Sequence, residues 1–193
     1  MGLTDGTDLE KQERSKKMML LFGIVSMVMT FAGLTSAYVV SKSRKDWLSN
    51  FDFPSAFFWS TLVIILSSVT FYLAKRNILS GNRRNATALL VGTLVLSALF
   101  VTLQFYGFYQ IYDQGYYFTG AASSVTTSLI YVLVLVHLVH LMAGIIVLLV
   151  VIYNHFKQRY FKGQMLGLEL GATFWHFVDI LWICLFLFLY FVR

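Results

Sequence analysis

The longest apolar run of this chain extends from residue 126 to residue 153, TTSLIYVLVLVHLVHLMAGIIVLLVVIY, and it indicates the class of fold. It contains no Asp, Glu, Lys or Arg, and it is longer than the ~20 apolar residues that a helix needs to cross a bilayer. Four more stretches of this kind occur along the chain. The sequence therefore predicts an all-α, polytopic membrane protein, a bundle of five transmembrane helices. The predicted spans are approximately residues 18–41, 55–74, 86–109, 126–153 and 168–192.

The composition agrees with a membrane protein and excludes several other classes. Hydrophobic residues make up 58% of the chain and charged residues only 12%, against roughly 25% charged residues in a soluble globular protein. A soluble enzyme and a disordered chain are both excluded. The net charge of +6 does not indicate a nucleic-acid partner, because the cations lie in short clusters between apolar runs. The single Cys excludes a disulfide within the chain and a Cys-based metal site.

The distribution of charge predicts how the chain lies in the membrane. Residues 1–17 predict a polar cytoplasmic tail ahead of the membrane domain, residues 18–193, and they lack the basic and apolar order of a signal peptide. Eleven of the fifteen Lys and Arg lie in this tail and in the links after the second and fourth spans. The positive-inside rule then places the N-terminus inside and the C-terminus outside. The cations positioned to meet lipid phosphates are Arg83, Arg84, Lys157 and Arg159.

Ionisable residues at membrane depth are rare here and lie in the last two spans. Each costs about 3 kcal/mol to insert, so such residues usually face the interior of a bundle. Helical periodicity places Asp179 on one face with Trp175 and Trp182, at a depth that matches the histidines of the fourth span. We predict that Asp179 hydrogen-bonds a histidine and that the two tryptophans flank the pair. The predicted buried polar cluster consists of His137, His140, His176, Asp179 and Glu169.

Three roles are open to this cluster. It could ligate a metal or haem, although His137 and His140 are a short i, i+3 pair and no Cys or Met box accompanies them. It could relay protons, although the first three spans supply almost no carboxylates at depth. It could be a hydrogen-bonded cluster that fixes the register of the helices. The residues themselves favour this third, structural interpretation.

Other polar and small residues in the spans predict packing. Gln104 in the third span predicts a hydrogen bond to another helix. Gly23, Gly33 and Gly92 predict positions where helices pack closely, and Gly144 predicts a close approach beside the histidine pair. No nucleophile–base pair or phosphate-binding loop occurs in the sequence, so we expect no catalytic residues in this chain.

Two motifs resemble those of a known family, subunit III of the haem–copper oxidases. The run from Phe174 to Trp182, FWHFVDILW, resembles the family's W-H-F-V/L-D-x-x-W motif near the end of the chain. The run from His137 to Gly144, HLVHLMAG, resembles its H-x-x-H-x-x-x-G helix. Glu169, seven residues before His176, also matches a glutamate of the family. Five spans resemble the shorter bacterial form, which lacks the first two of seven helices.

The sequence also departs from the family pattern at three places. The family often has Ser-Glu in the first shared helix, where this chain has Ser26-Met27. The family's Q-x-x-E in the third shared helix is here Gln104-Phe105-Tyr106-Gly107. The Thr-Gly that precedes the histidine pair is here Val134-Leu135. Roles that belong to those missing groups do not transfer to this chain.

The resemblance implies a supporting subunit of a proton-pumping, cytochrome c oxidase-type enzyme of aerobic respiration in a bacterial inner membrane. It implies that haem and copper lie in partner subunits and that this chain binds neither. It further implies that the chain packs on subunit I, binds membrane phospholipids and stabilises the catalytic core. Quinol oxidases and nitric-oxide reductases remain alternatives. A small secondary transporter with an intramembrane His/Asp site is the alternative from another class, although repeat symmetry is not visible.

Overall fold

The computed structural model describes residues 8–44, 47, 54–120, 124–160 and 165–192, and it confirms the five predicted helices. Each helix is long and apolar enough to cross a membrane. All five predicted spans lie inside these helices, and α1 begins ten residues before its predicted span, so part of the polar tail is helical. The helices are α1 Asp8–Ser41, α2 Ser55–Leu79, α3 Arg83–Asp113, α4 Val125–Phe156 and α5 Leu166–Val192.

The starts of α2 and α4 are capped in different ways. Ser124 forms a capping box with Thr127: its hydroxyl accepts the Thr127 N–H at 3.2 Å, and the Thr127 hydroxyl accepts the Ser124 N–H at 3.4 Å. Such a box satisfies two backbone donors that the helix leaves unpaired. Pro54 precedes α2 and makes no side-chain cap bond. Instead, Gln110 of α3 accepts the Ala56 N–H at 3.2 Å, which ties the start of α2 to the end of α3.

The ends of α2 and α4 close in the same way, as Schellman motifs. After α2, the Asn82 N–H donates to the Asn77 carbonyl at 2.9 Å while Gly81 adopts a φ of 80°. After α4, the Arg159 N–H donates to the Asn154 carbonyl at 3.0 Å, and the left-handed position is Gln158 with a φ of 57°. Glycine usually fills that position because it has no Cβ to clash. The link after α4 therefore carries strain that the link after α2 avoids.

The helices are not equally embedded in the bundle. The α2 and α3 helices form the most extensive pairing, and α5 packs against both α2 and α4. Within the described residues, α1 contacts no helix except α4 and α5. It buries Met27, Phe31 and Tyr38, and most of its other side chains are exposed to the surroundings of the bundle. The core is therefore a four-helix unit with α1 on its periphery.

Close helix packing depends on glycines other than the three that the sequence suggested. A Cβ added at Gly23, Gly33 or Gly92 would have no heavy atom within 4 Å, so the prediction of close packing there is wrong. A Cβ at Gly107 would lie 2.5 Å from the Phe57 ring, inside the contact distance of real atoms. At Gly171 the nearest atom would be a Val151 methyl at 2.9 Å.

Gly144 lies against α5, as its position beside the histidine pair suggested. A Cβ there would be 3.5 Å from the Trp175 ring and 3.6 Å from the Phe174 ring. Those are ordinary van der Waals distances, so the approach of α5 to α4 at this point does not require a glycine.

Candidate functional site

Hydroxyl groups of α2 join this helix to α3 and α5. Gln104 of α3 donates from Nε2 to the Ser60 hydroxyl at 2.9 Å, which confirms the predicted interhelical hydrogen bond of Gln104. Trp182 of α5 donates from Nε1 to the Thr61 hydroxyl at 3.1 Å. We call this set the α2 hydroxyl row. Its members are Ser60, Thr61, Ser68 and Thr70, of which Ser68 bonds His176 at 2.6 Å and Thr70 bonds Thr93 at 2.9 Å.

His137 lies in a cage of aromatic rings. Its ring centroid is 5.0 Å from that of Trp182, 6.1 Å from that of Phe100 and 6.5 Å from that of Phe31. The side chain is fully buried, and neither ring nitrogen has a hydrogen-bond partner among the described residues. An imidazole in such an apolar cage packs as a neutral aromatic ring, because charging it there would cost far more than packing gains.

Asp179 does not make the histidine bond that the sequence predicted. Both carboxyl oxygens lack a hydrogen-bond partner within the part of the chain that the structure describes, and the residue is 1% exposed. The Ser68 hydroxyl lies close to this carboxyl but is bonded to His176 instead. Asp179 lies on a helix that packs against α2 as well as α4, and the side chain beside its carboxyl is Ser68 of α2. That prediction is therefore wrong.

Two further members of the predicted cluster make no hydrogen bond with Asp179. His140 donates from Nδ1 to the Val136 carbonyl of its own helix at 2.7 Å and is only partly buried. Its ring lies 5.6 Å from that of Phe31 on α1. Glu169 is not buried: its side chain is 47% exposed and forms a salt bridge of 3.4 Å with Lys17. The structure thus divides the predicted cluster. His140 and Glu169 contact α1, whereas the side chain beside Asp179 belongs to α2.

The two predicted flanking tryptophans are both buried in the core. Trp182 packs between His137 and the ring of Phe57, whose centroid is 5.9 Å away, and its N–H is satisfied by Thr61. Trp175 packs edge-on against Phe71 at 6.0 Å, and its indole N–H has no partner among the described groups. The two tryptophans therefore lie beside polar groups that are only partly hydrogen-bonded, and they do not flank an Asp–His pair.

This arrangement can fasten the helices to one another. Throughout residues 8–44, 47, 54–120, 124–160 and 165–192, no three His, Cys, Asp or Glu side chains converge as metal ligands do. Nor does a protein hydrogen bond lead away from Asp179 in this part of the chain. The hydroxyl row was missed at the sequence level because Ser and Thr are common in apolar helices and leave no hydropathy signal.

The cations predicted to meet lipid headgroups lie at one end of the bundle. Arg83 and Arg84 begin α3, while Lys157 and Arg159 follow α4, and all four are exposed. The two helices are joined at this end, because Thr87 of α3 bonds the Nε2 atom of His155 at 2.9 Å. The structure therefore brings the four cations to the same face, where headgroups would lie.

These features define a multi-pass helical membrane protein whose polar side chains bind its helices to one another. Comparison with known proteins identifies the family. The model of the family described as cytochrome c oxidase subunit III matches residues 9–193. The chain belongs to this family, and it is thereby a subunit of the haem–copper oxidase type, assembled with other oxidase subunits.

Curated relatives are named as subunit 3 of cytochrome c oxidases or of a ubiquinol oxidase. The chain is 28% identical over 165 residues to subunit 3 of the cytochrome bo(3) ubiquinol oxidase of Pseudomonas putida, covering 86% of this chain and 76% of the relative. It is 29% identical over 177 residues to cytochrome c oxidase subunit 3 of Corynebacterium diphtheriae, with 86% and 82% covered. It is 32% identical over 134 residues to that of Lumbricus terrestris, covering 68% of this chain and 48% of the relative.

Proposed function

We propose that this chain is the non-catalytic subunit III of a cytochrome c oxidase-type enzyme, and that it stabilises the catalytic subunits without taking part in electron transfer. The observation that carries the proposal is that three buried or partly buried polar side chains bond neighbouring helices. Gln104, Trp182 and His176 each bond a hydroxyl of α2. Groups engaged in this way hold helices in register. Haem and copper are then held by partner subunits, and this chain binds neither.

The proposed partners are subunit I and membrane phospholipids, in a bacterial inner membrane. Large apolar side chains remain exposed on every helix, for example Phe22, Phe105 and Phe191. Such surface is compatible only with lipid or with other membrane subunits. The proposed orientation has the N-terminus and the exposed cations of the α2–α3 and α4–α5 links in the cytoplasm.

Purification in mild detergent tests membership in such a complex. A tagged form of this chain should bring down partner subunits with the absorbance of haem and with stoichiometric copper. Reduced cytochrome c and ubiquinol are then offered to the complex as electron donors. Oxidation of cytochrome c supports the proposed type. Oxidation of ubiquinol alone would favour the second candidate, a quinol oxidase, which the relative from Pseudomonas putida brings into consideration.

The non-catalytic role is tested by a double substitution in the core. His137→Leu with Asp179→Asn removes a buried imidazole and a buried carboxyl, neither of which has a hydrogen-bond partner among the described residues. The complex should reduce oxygen at the wild-type initial rate whenever the variant subunit remains bound. The matched control is Val139→Ala, at an exposed position of α4. Immediate loss of oxygen reduction with the subunit fully bound would show that the polar core takes part in turnover.

A further inference from the structure

The Asp179 carboxyl is enclosed in the bundle, and the polar group beside it is the Ser68 hydroxyl of α2. Both carboxyl oxygens are buried and have no hydrogen-bond partner among the described residues. Water therefore cannot touch them in this structure. A proton that Asp179 gains or loses must pass through a neighbouring side chain, and Ser68 is in place to carry it.

Asp179 holds a proton in these surroundings. The residue is 1% exposed, and in the part of the chain that the structure describes no cation pairs with its carboxyl. An isolated carboxylate in an apolar interior is much less stable than the neutral acid, because nothing replaces the water that it loses. The neutral acid also has an O–H group to donate. The site therefore contains one proton that can be exchanged.

Ser68 connects this carboxyl to His176. Its Oγ atom lies 2.6 Å from the Nδ1 atom of His176, which is a short hydrogen bond. A hydroxyl donates one proton and can accept others. When Nδ1 carries the hydrogen and donates it to Ser68, the Ser68 proton is free to turn toward Asp179. Rotation of one hydroxyl therefore completes a chain of hydrogen bonds from His176 to Asp179.

His176 brings this chain of hydrogen bonds to the surface of the bundle. Unlike Asp179 it is only partly buried, and its ring lies beside that of Phe71, with centroids 6.1 Å apart. Nδ1 is used by Ser68, so Nε2 is the nitrogen at which the imidazole can exchange a proton with its surroundings. A histidine can shuttle protons in this way because either ring nitrogen can carry the hydrogen.

Polar side chains lead from His176 to the end of the bundle at which α5 begins. Glu169, Thr173 and His176 recur at i, i+4 and i+7, so they share one face of α5. Glu169 is 47% exposed and paired with Lys17, and Thr173 is exposed. Lys75, near the end of α2, acts electrostatically on His176. At 1.5 Å per residue, His176 lies only ~10 Å along the helix from Glu169, so water can follow this face to the imidazole.

The histidines of α4 offer no comparable path. His137 is enclosed by aromatic rings, and neither of its nitrogens has a partner among the described residues. His140 donates to the Val136 carbonyl of its own helix. Neither histidine bonds Asp179 or Ser68 in the described structure, so the path through Ser68 is the one that the contacts support.

We propose that Asp179 is a proton-binding site, and that it exchanges its proton through Ser68 and His176 with the end of the bundle at which α5 begins. On uptake, the carboxylate takes the hydroxyl proton of Ser68, Ser68 takes the Nδ1 proton of His176, and the imidazole takes a proton from a hydronium ion at Nε2. Release reverses these steps, so one proton is bound or released and no electrons move. The proposal concerns this chain alone, and it stands whichever complex the chain joins.

Infrared spectroscopy of the full chain in lipid nanodiscs tests this exchange. The C=O stretch of a protonated carboxyl shifts when deuterium replaces the proton, so its shift after transfer into heavy water gives the exchange rate. Asp179→Asn identifies the band, because Asp179 is the buried carboxyl among the described residues. Ser68→Ala removes the connecting hydroxyl, and His176→Phe keeps a ring without its nitrogens. Ser67→Ala is the matched control, because it removes a neighbouring buried hydroxyl that has no hydrogen-bond partner in the described structure.

We expect the exchange to slow by about tenfold or more in Ser68→Ala and in His176→Phe, because the proton must then wait for a local opening of the helices. Ser67→Ala should change the rate by less than twofold. Ser68→Thr should keep the wild-type rate, because it keeps the hydroxyl. Circular dichroism confirms that each variant keeps its helices.

Several results would overturn the proposal. An unchanged rate in Ser68→Ala or in His176→Phe would show that the proton takes another path. Equal slowing in Ser67→Ala would show that packing sets the rate. A spectrum without a carboxyl band that Asp179→Asn removes would show that the site holds no proton at neutral pH. If Ser68→Ala does not fold, His176→Phe and Ser68→Thr decide the question in the same way.

Discussion

Replacing Gly107 with alanine should weaken the pairing of α2 and α3, the most extensive contact between helices in the bundle. The added Cβ would lie 2.5 Å from Cε1 and 2.9 Å from Cδ1 of Phe57. Phe57 is fully buried and cannot turn away, because its ring packs against Trp182 and Phe108 at centroid distances of 5.9 and 6.3 Å. The two helices must therefore separate locally.

The magnitude follows from two opposing terms. Overpacking a well-filled core costs typically about 1–3 kcal/mol. Alanine in place of glycine inside a helix returns up to about 1 kcal/mol. Gly92→Ala in the same helix gains the second term alone, because nothing lies within 4 Å of a Cβ there. The difference between the two variants thus isolates the steric term, and we expect Gly107→Ala to be less stable than Gly92→Ala by about 1–3 kcal/mol.

Reversible unfolding in mixed micelles, followed by helicity at 222 nm, measures this difference. Phe57→Leu should partly rescue Gly107→Ala, because the smaller side chain vacates the position of the added Cβ, although it costs stability alone. Equal stability of the two alanine variants, within about 0.5 kcal/mol, would refute the steric argument.

Further predictions concern the polar layer, the strained link and the orientation. Thr61→Val should cost about 1–3 kcal/mol, since it leaves the buried N–H of Trp182 without an acceptor. Asp179→Asn should stay within about 1 kcal/mol of the wild type in the same assay, because no protein hydrogen bond is lost. Gln158→Gly should stabilise by about 0.5–1 kcal/mol by relieving its positive φ. Cysteines introduced at residues 75–84 should react with an impermeant thiol reagent only from the cytoplasmic side.

Three of these predictions have a matched control. Thr102→Val changes an exposed threonine that bonds only its own helix, so it should be nearly neutral. Lys157→Gly is the control for Gln158→Gly, because it changes the preceding residue, whose φ of −73° is ordinary. It should destabilise the protein. Cysteines at residues 113–119 should be labelled from the outside, and labelling of 75–84 from the outside would invert the proposed orientation.

The positions of the helices could be predicted from the sequence because membrane crossing is a one-dimensional requirement. A run of about 20 apolar residues suffices, whatever its neighbours. The same criterion ignores polar helical extensions, so it placed the start of α1 at residue 18 although the helix begins at Asp8. Schellman closures likewise set the ends of α2 and α4 at Leu79 and Phe156, beyond the predicted spans that end at residues 74 and 153.

The polar core could be predicted only in part, because periodicity defines a helix face without saying which helix it meets. Trp182 and His137 do come together, as matched depth on α4 and α5 suggested. The partner of His176 was missed, because the choice between α2 and α4 depends on how α5 is rotated in the bundle. Glycines show the same limit: Gly92 and Gly107 look alike in the sequence, and only the place of Phe57 distinguishes them.

The peripheral position of α1 has a consequence for biogenesis. The ribosome synthesises α1 first. In the described structure α1 contacts α4 and α5, and α4 does not begin until Val125. At 5–20 residues per second, roughly ten seconds of translation separate α1 from its docking partners. During that interval α1 lies in the lipid without the two helices against which it later packs. Its threonines need no partner helix in this state, because the hydroxyls of Thr30 and Thr35 donate to carbonyls of their own helix.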